Sequence, residues 1–84
     1  MKLKLLPSDL EPFVTAATAL AQATVKRDEL FIEAKKADFL ALRTPSDLSL
    51  ELDFIVKGKT YIKQCTIVRD CYKTFISFYT NEQT

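Results

Sequence analysis

Residues 28–55, DELFIEAKKADFLALRTPSDLSLELDFI, constrain the fold most, because apolar and polar residues alternate there through three successive runs separated only by turn chemistry. Leu30, Ile32 and Ala34 form the first inward set, and Leu40 and Leu42 the second. Leu48, Leu50, Leu52, Phe54 and Val56 form the third, interleaved with Ser49, Glu51 and Asp53. A period of two places alternate side chains on opposite faces of a strand, so the stretch predicts a β-meander with one face in a core and the other wet. Residues 35–38 form a polar turn without glycine, and Thr44-Pro45-Ser46-Asp47 a turn in which the fixed φ of proline is useful.

The flanks complete an order of elements. Residues 1–6, MKLKLL, set Lys2 and Lys4 against Leu3 and Leu5, which predicts a half-buried strand. Pro7 ends it. Ser8 or Asp9 can cap a helix, with Ser8 and Glu11 at capping-box spacing, and Pro12 falls in the first turn, where its missing N–H costs least. Over residues 8–24, Leu10, Phe13, Val14, Ala17, Leu20 and Ala21 recur at threes and fours and build one apolar stripe. Thr15, Thr18 and Gln22 give the opposite stripe a mild, uncharged character. It either faces solvent or meets another surface.

Beyond the meander, Lys57-Gly58-Lys59 offers a tight reversal and residues 61–68 read as a partner strand, so 48–68 predicts a hairpin. The end of the chain supports two readings. Tyr72, Phe75, Ile76 and Tyr79 fit a helical stripe behind Asp70 as cap, while the local richness in Tyr, Phe, Thr and Ile suits a strand. The helix is preferred, and residues 81–84 should fray. The sum is an α+β fold, β-α-β-β-β, with one helix packed on an antiparallel sheet, a further strand and a short C-terminal helix.

At 84 residues the chain is one small domain, of a size that buries only about 60–65 % of its unfolded surface. A partner or an oligomer would therefore help it considerably. Twelve Lys and Arg against eleven Asp and Glu leave a net charge of +1, with no global field to draw in nucleic acid or an anionic membrane. The absences exclude most chemistry. Without histidine there is no Ser-His, Cys-His or His-metal arrangement, and with Gly58 as the single glycine there is no phosphate-cradling loop. Glu29 with Glu33 and Glu51 with Asp53 are the carboxylate pairs, and both sit at the spacing of solvated charge on a strand. Cys65 and Cys71 are too few for a disulfide framework and lack the companions of a zinc site. No catalytic residue, metal, cofactor or small-molecule substrate is predicted. No run reaches the ~20 apolar residues of a membrane span and no signal peptide is evident, so the expectation is a soluble, intracellular protein.

The order of elements resembles the half-domain of the DNA sliding clamps, the family of proliferating cell nuclear antigen and the checkpoint clamp subunits. MKLKLL followed by a helix with Phe13, Val14, Ala17 and Leu20 is similar to the opening strand and first inner helix of that family. Phe39-Leu40-Ala41-Leu42-Arg43 before Thr44-Pro45-Ser46-Asp47 is similar to its leucine-arginine strand and turn. Residues 28–33 with Leu42-Arg43-Thr44 look most like the checkpoint subunits. The resemblance divides the chain into a clamp-like half-domain, 1–57, and a hairpin strand with C-terminal segment, 58–84.

The resemblance implies a non-enzymatic assembly module that pairs edge strands with itself or with other subunits, in the nucleus if the checkpoint likeness holds and in the cytoplasm otherwise. It also implies weak, non-specific DNA contact through Lys26, Arg27, Arg69 and Lys73, since the first helix carries no cation between Asp9 and Val25. The candidate protein interface is Thr15, Thr18, Gln22, Tyr61 and Phe78. The rival expectation is a small inhibitory or adaptor protein, of the kind phages and mobile elements encode, that binds one host protein through a sheet or helix face.

Overall fold

The chain folds as a hairpin of two long antiparallel helices, α1 (Leu10–Arg43) and α2 (Leu48–Ile76), in a computed structural model that describes residues 2–3 and 6–80. A single 3₁₀ turn, Pro7–Asp9, leads into α1. Pro7 occupies its first position, where no N–H is needed. The Asp9 carboxylate accepts the Leu6 N–H at 3.1 Å, while the Asp9 N–H donates to the Leu6 carbonyl at 2.8 Å. The entry is therefore tied by Asp9 reaching back to Leu6, and not by Ser8 with Glu11. Pro12 lies in the first turn of α1, as its missing N–H requires.

From Pro12 to Pro45 no glycine or proline interrupts the helix. Pro45 then ends it, because the residue before a proline is pushed out of the helical region, and Thr44 sits at φ −133°, ψ 67°. The Asp47 N–H donates to the Thr44 carbonyl at 3.0 Å and closes a tight turn with proline at its second position. Asp47 caps α2, accepting the Ser49 N–H at 3.0 Å and the Ser49 hydroxyl at 2.6 Å.

What joins the helices is a seam with alternating steps of three and four. In α1 it runs Phe13, Ala16, Leu20, Ala23, Arg27, Leu30, Ala34, Ala37 and Ala41; in α2 it runs Leu50, Phe54, Lys57, Tyr61, Gln64, Val68, Cys71 and Phe75. This is the spacing of an antiparallel coiled coil. The buried residues among those described are all alanines, Ala16, Ala23, Ala34 and Ala37, which let the backbones approach closely. At the open end Phe13 packs on Phe75 and Phe78 with ring centroids 5.4 and 5.5 Å apart, and Tyr79 joins them. A two-residue antiparallel ladder then ties the chain ends: Lys2 pairs with Thr80 and Leu3 with Tyr79.

The α+β expectation is overturned. The meander assigned to 28–55 is the C-terminal half of α1, the turn and the start of α2, and the polar turn at 35–38 lies inside α1. The Lys57-Gly58-Lys59 reversal and the 61–68 strand are one continuous piece of α2. The helix expected over 8–24 is present but extends to Arg43. The short C-terminal helix expected behind Asp70 is not a separate element: Tyr72, Phe75 and Ile76 belong to the last turns of α2, Asp70 lies inside that helix and not at a cap, and Tyr79 is in the strand ladder. Lys2–Leu3 retains the strand character expected of MKLKLL, whereas residues 1, 4 and 5 and the fraying expected over 81–84 lie outside the described residues. A clamp half-domain needs a sheet, and the ladder between Lys2–Leu3 and Tyr79–Thr80 is the whole of the strand pairing among the described residues. The sliding-clamp resemblance therefore fails. Its physical error was to read apolar residues two apart as one face of a strand, when on a helix they divide between the seam and an outer surface.

Candidate interaction surface

A hairpin is a single layer of helices, and this one measures 59 × 28 × 13 Å, so it presents two broad faces. Its radius of gyration of 18.4 Å far exceeds the roughly 12 Å expected of a compact chain of this length. Geometry around the seam assigns each outward residue to a face. On one side stand Leu10, Val14, Phe31 and Leu42 from α1 with Leu48, Ile55, Ile62 and Tyr72 from α2, between 43 % exposed at Ile55 and 73 % at Leu42, while Val25, Ile32 and Phe39 of α1 and Leu52 of α2 lie on the outer edges. Gly58 and Cys65 lie among them. The other side shows only Leu40, Val56 and Ile67 as exposed large apolar residues, surrounded by threonines and charges.

Local electrostatics agree with this division. The hydrogen bond to the Cys65 thiol, reinforced by partial burial, holds the Tyr61 hydroxyl above the ordinary tyrosine value, and Arg27 and Asp28 act on the same group from α1. Lys57 leans to the opposite side, where its ammonium meets the Asp53 carboxylate at 2.9 Å and feels Glu33. That hydrogen bond raises Lys57 above the ordinary lysine value. On the apolar side the Phe31 ring stacks near Tyr61, centroids 5.5 Å apart, with the Lys35 ammonium 5.6 Å from its centre.

The four cations assigned to DNA do not form one surface. Arg27 sits in the seam beside Asp28 at 3.3 Å, and Lys26 lines a shallow groove with Glu29 on the polar side. Arg69 is on the apolar side, 4.0 Å from Asp70, and Lys73 is on the outer edge of α2. The interface residues also separate. Thr15 and Phe78 meet in an open groove of about 670 Å³ together with Pro12 and Thr74. Thr18 lies on the outer edge of α1, Gln22 on the polar side, and Tyr61 in the seam against Phe31.

Neither carboxylate pair forms a catalytic dyad. Glu33 pairs with Lys36 at 3.8 Å, Asp53 pairs with Lys57, and the helix turns Glu51 and Asp53 to opposite faces. Cys65 and Cys71 are free thiols. Among the described residues no three His, Cys, Asp or Glu side chains gather as metal ligands, and no helix is long and apolar enough to cross a membrane.

The residues that sequence reading missed as a surface are Phe31, Ile55, Ile62 and Leu48, all of which it had placed in a core or left unassigned. The signal available was their number: each helix carries more large apolar residues than its seam can hold. No protein-family model, curated protein or solved structure matches this chain.

Proposed function

We propose that the chain is a non-enzymatic protein-interaction module that docks through the apolar face of its hairpin. The observation that carries this reading is the unequal division of exposed side chains: eight large apolar residues on one face against three on the other, with Val25, Ile32, Phe39 and Leu52 on the outer edges between them. Scattered apolar residues are normal on a surface, but a contiguous apolar face with a polar reverse marks a contact site. The absence of histidine from the sequence, and carboxylates that are solvated or salt-paired, support a binding role over a catalytic one.

The test compares the two faces. Ile55→Glu with Ile62→Glu should abolish association and, at concentrations too low for association, strongly reduce fluorescence of a dye that binds exposed apolar surface, with helix content retained. Val56→Glu with Ile67→Glu should leave both unchanged. Equal behaviour of the two pairs defeats the assignment of the face.

A further inference from the structure

We propose that the occupant of the apolar face is a second copy of this chain, stacked with its Thr44–Asp47 turn at the same end, so that each α1 lies over the partner's α2 in a four-helix bundle. This rests on the docking reading above and supplies its partner.

Area is the first argument. A compact monomer of 9.6 kDa exposes about 5,100 Å², against 6453 Å² for the whole chain, an excess of roughly 1,350 Å². A standard interface buries about 800 Å² on each partner, which a face of 59 × 28 Å can supply. Pairing with an equal face would therefore remove more than half of the excess. No large side chain of the hairpin is fully buried on its own, so a second layer would create the core that the single layer lacks.

Charge is the second. A net charge of +1 opposes self-association very little. The bond from Gln64 to the Ala23 carbonyl marks the antiparallel register, and counted from it Lys35 lies level with Leu52, one residue along from Glu51, and Asp28 level with Lys59 on the outer edge of α2. A two-fold axis parallel to the helices brings Lys35 within side-chain reach of the partner's Glu51 and Asp28 toward the partner's Lys59. Stacking with turns at opposite ends would bring Asp28, near the middle of α1, against the partner's Asp28.

Gly58 is the third. It stands on the apolar face in the middle of α2, and nothing lies within 4 Å of the place a Cβ would take. A glycine inside a helix weakens it unless something uses the space. In the proposed stacking the ring of Phe31, which leans toward the N-terminus of its own helix, comes opposite the partner's Gly58. The notch in α2 and the protruding aromatic of α1 then form a matched pair, made twice by symmetry.

Sedimentation equilibrium of the full chain, from micromolar to near-millimolar concentration, reads the outcome. The expected mass is twice 9.6 kDa. Ile55→Glu with Ile62→Glu should give the monomer, and Val56→Glu with Ile67→Glu the dimer. Lys35→Glu should raise the dimer dissociation constant several-fold, and adding Glu51→Lys should restore it; these exposed substitutions keep the proposal testable should the isoleucine pair fail to fold. A folded wild-type monomer throughout the range overturns the second copy. If that monomer binds the dye through Ile55 and Ile62, the docking face survives without it; if it binds no dye, both readings fall. A dimer that the double charge swap leaves weakened overturns the same-end stacking.

Discussion

Gln64 donates through Nε2 to the backbone carbonyl of Ala23 at 3.0 Å, and among the described residues this is the side-chain hydrogen bond that joins the two helices. Both groups lie in the seam and are partly shielded from water. A polar residue at a seam position trades stability for register. The Ala23 carbonyl also faces the N–H one helical turn further on, so it keeps a partner if Gln64 is lost. Gln64→Leu should therefore leave stability within about 1 kcal/mol of wild type or raise it, while loosening register. Thermal melts give the first quantity, and amide exchange along α1 and α2 the second. A sharp loss of stability in Gln64→Leu would show that the bond supports the fold itself.

Phe13 holds the open end. Its ring meets Phe75 and Phe78 at 5.4 and 5.5 Å, and Tyr79, which carries the ladder to Leu3, at 6.3 Å. Removing it leaves a void that the helix ends cannot readily fill. Phe13→Ala should cost about 2–3 kcal/mol, less than a fully buried phenylalanine because the ring is only half-buried. For a chain of this size the melting temperature should drop by roughly 10–20 °C. Circular dichroism at several wavelengths measures it.

The two ends of the pH range should act on different parts of α2. Hydrogen bonds from the Ser49 hydroxyl and N–H hold the Asp47 carboxyl below its ordinary value of 3.8. A depressed folded value gives stability that is present above 3.8 and is lost as pH falls through the depressed value. The hydrogen bond to Asp53 raises Lys57 above 10.5, and that contribution is complete below 10.5 and fades as pH rises through the raised value. Acid should thus fray α2 at its first turn, and alkali should loosen it near Lys57. Asp47→Ala should remove the acid transition and lower the melting temperature at neutral pH; an unchanged acid profile in that variant would assign the transition to another carboxylate.

The turn at 44–47 and the entry into a helix just after Pro7 were legible because each follows a proline, although the cap expected from Ser8 with Glu11 is replaced by Asp9 reaching back to Leu6. The length of the helices was not. Phe13, Leu20 and Leu30 keep the helical step across the break assumed at Asp28, but the seam then continues through Ala34, Ala37 and Ala41, which carry little apolar signal. In α2 the step passes through Lys57 and Gln64, polar residues that interrupt the pattern although their stems and bonds suit the seam. Meanwhile Leu48, Leu52 and Val56 lie outside the seam, and together with Leu50 and Phe54 they produce alternation by accident. Apolar residues on two sides of a helix mimic a strand when read in steps of two. A meander would have needed turn residues at 35–38, and their absence was the contrary evidence in the sequence. The candidate face was hidden for the same reason, since its members had been counted as core.

Gly58 gives the sharpest consequence of a second layer. In the isolated hairpin a Cβ there would meet nothing within 4 Å, so Gly58→Ala should raise helix stability by about 0.5–1 kcal/mol through the lost freedom of the unfolded chain. In the stacked dimer the same methyl group stands where the partner's Phe31 enters, so the dissociation constant should rise. The two effects separate by concentration, because association stabilises the fold by mass action and only above the dissociation constant. Melts of dilute Gly58→Ala should exceed wild type, and the advantage should shrink or reverse as both are concentrated. An advantage that stays constant across concentration would mean that the notch faces water in every state of the protein.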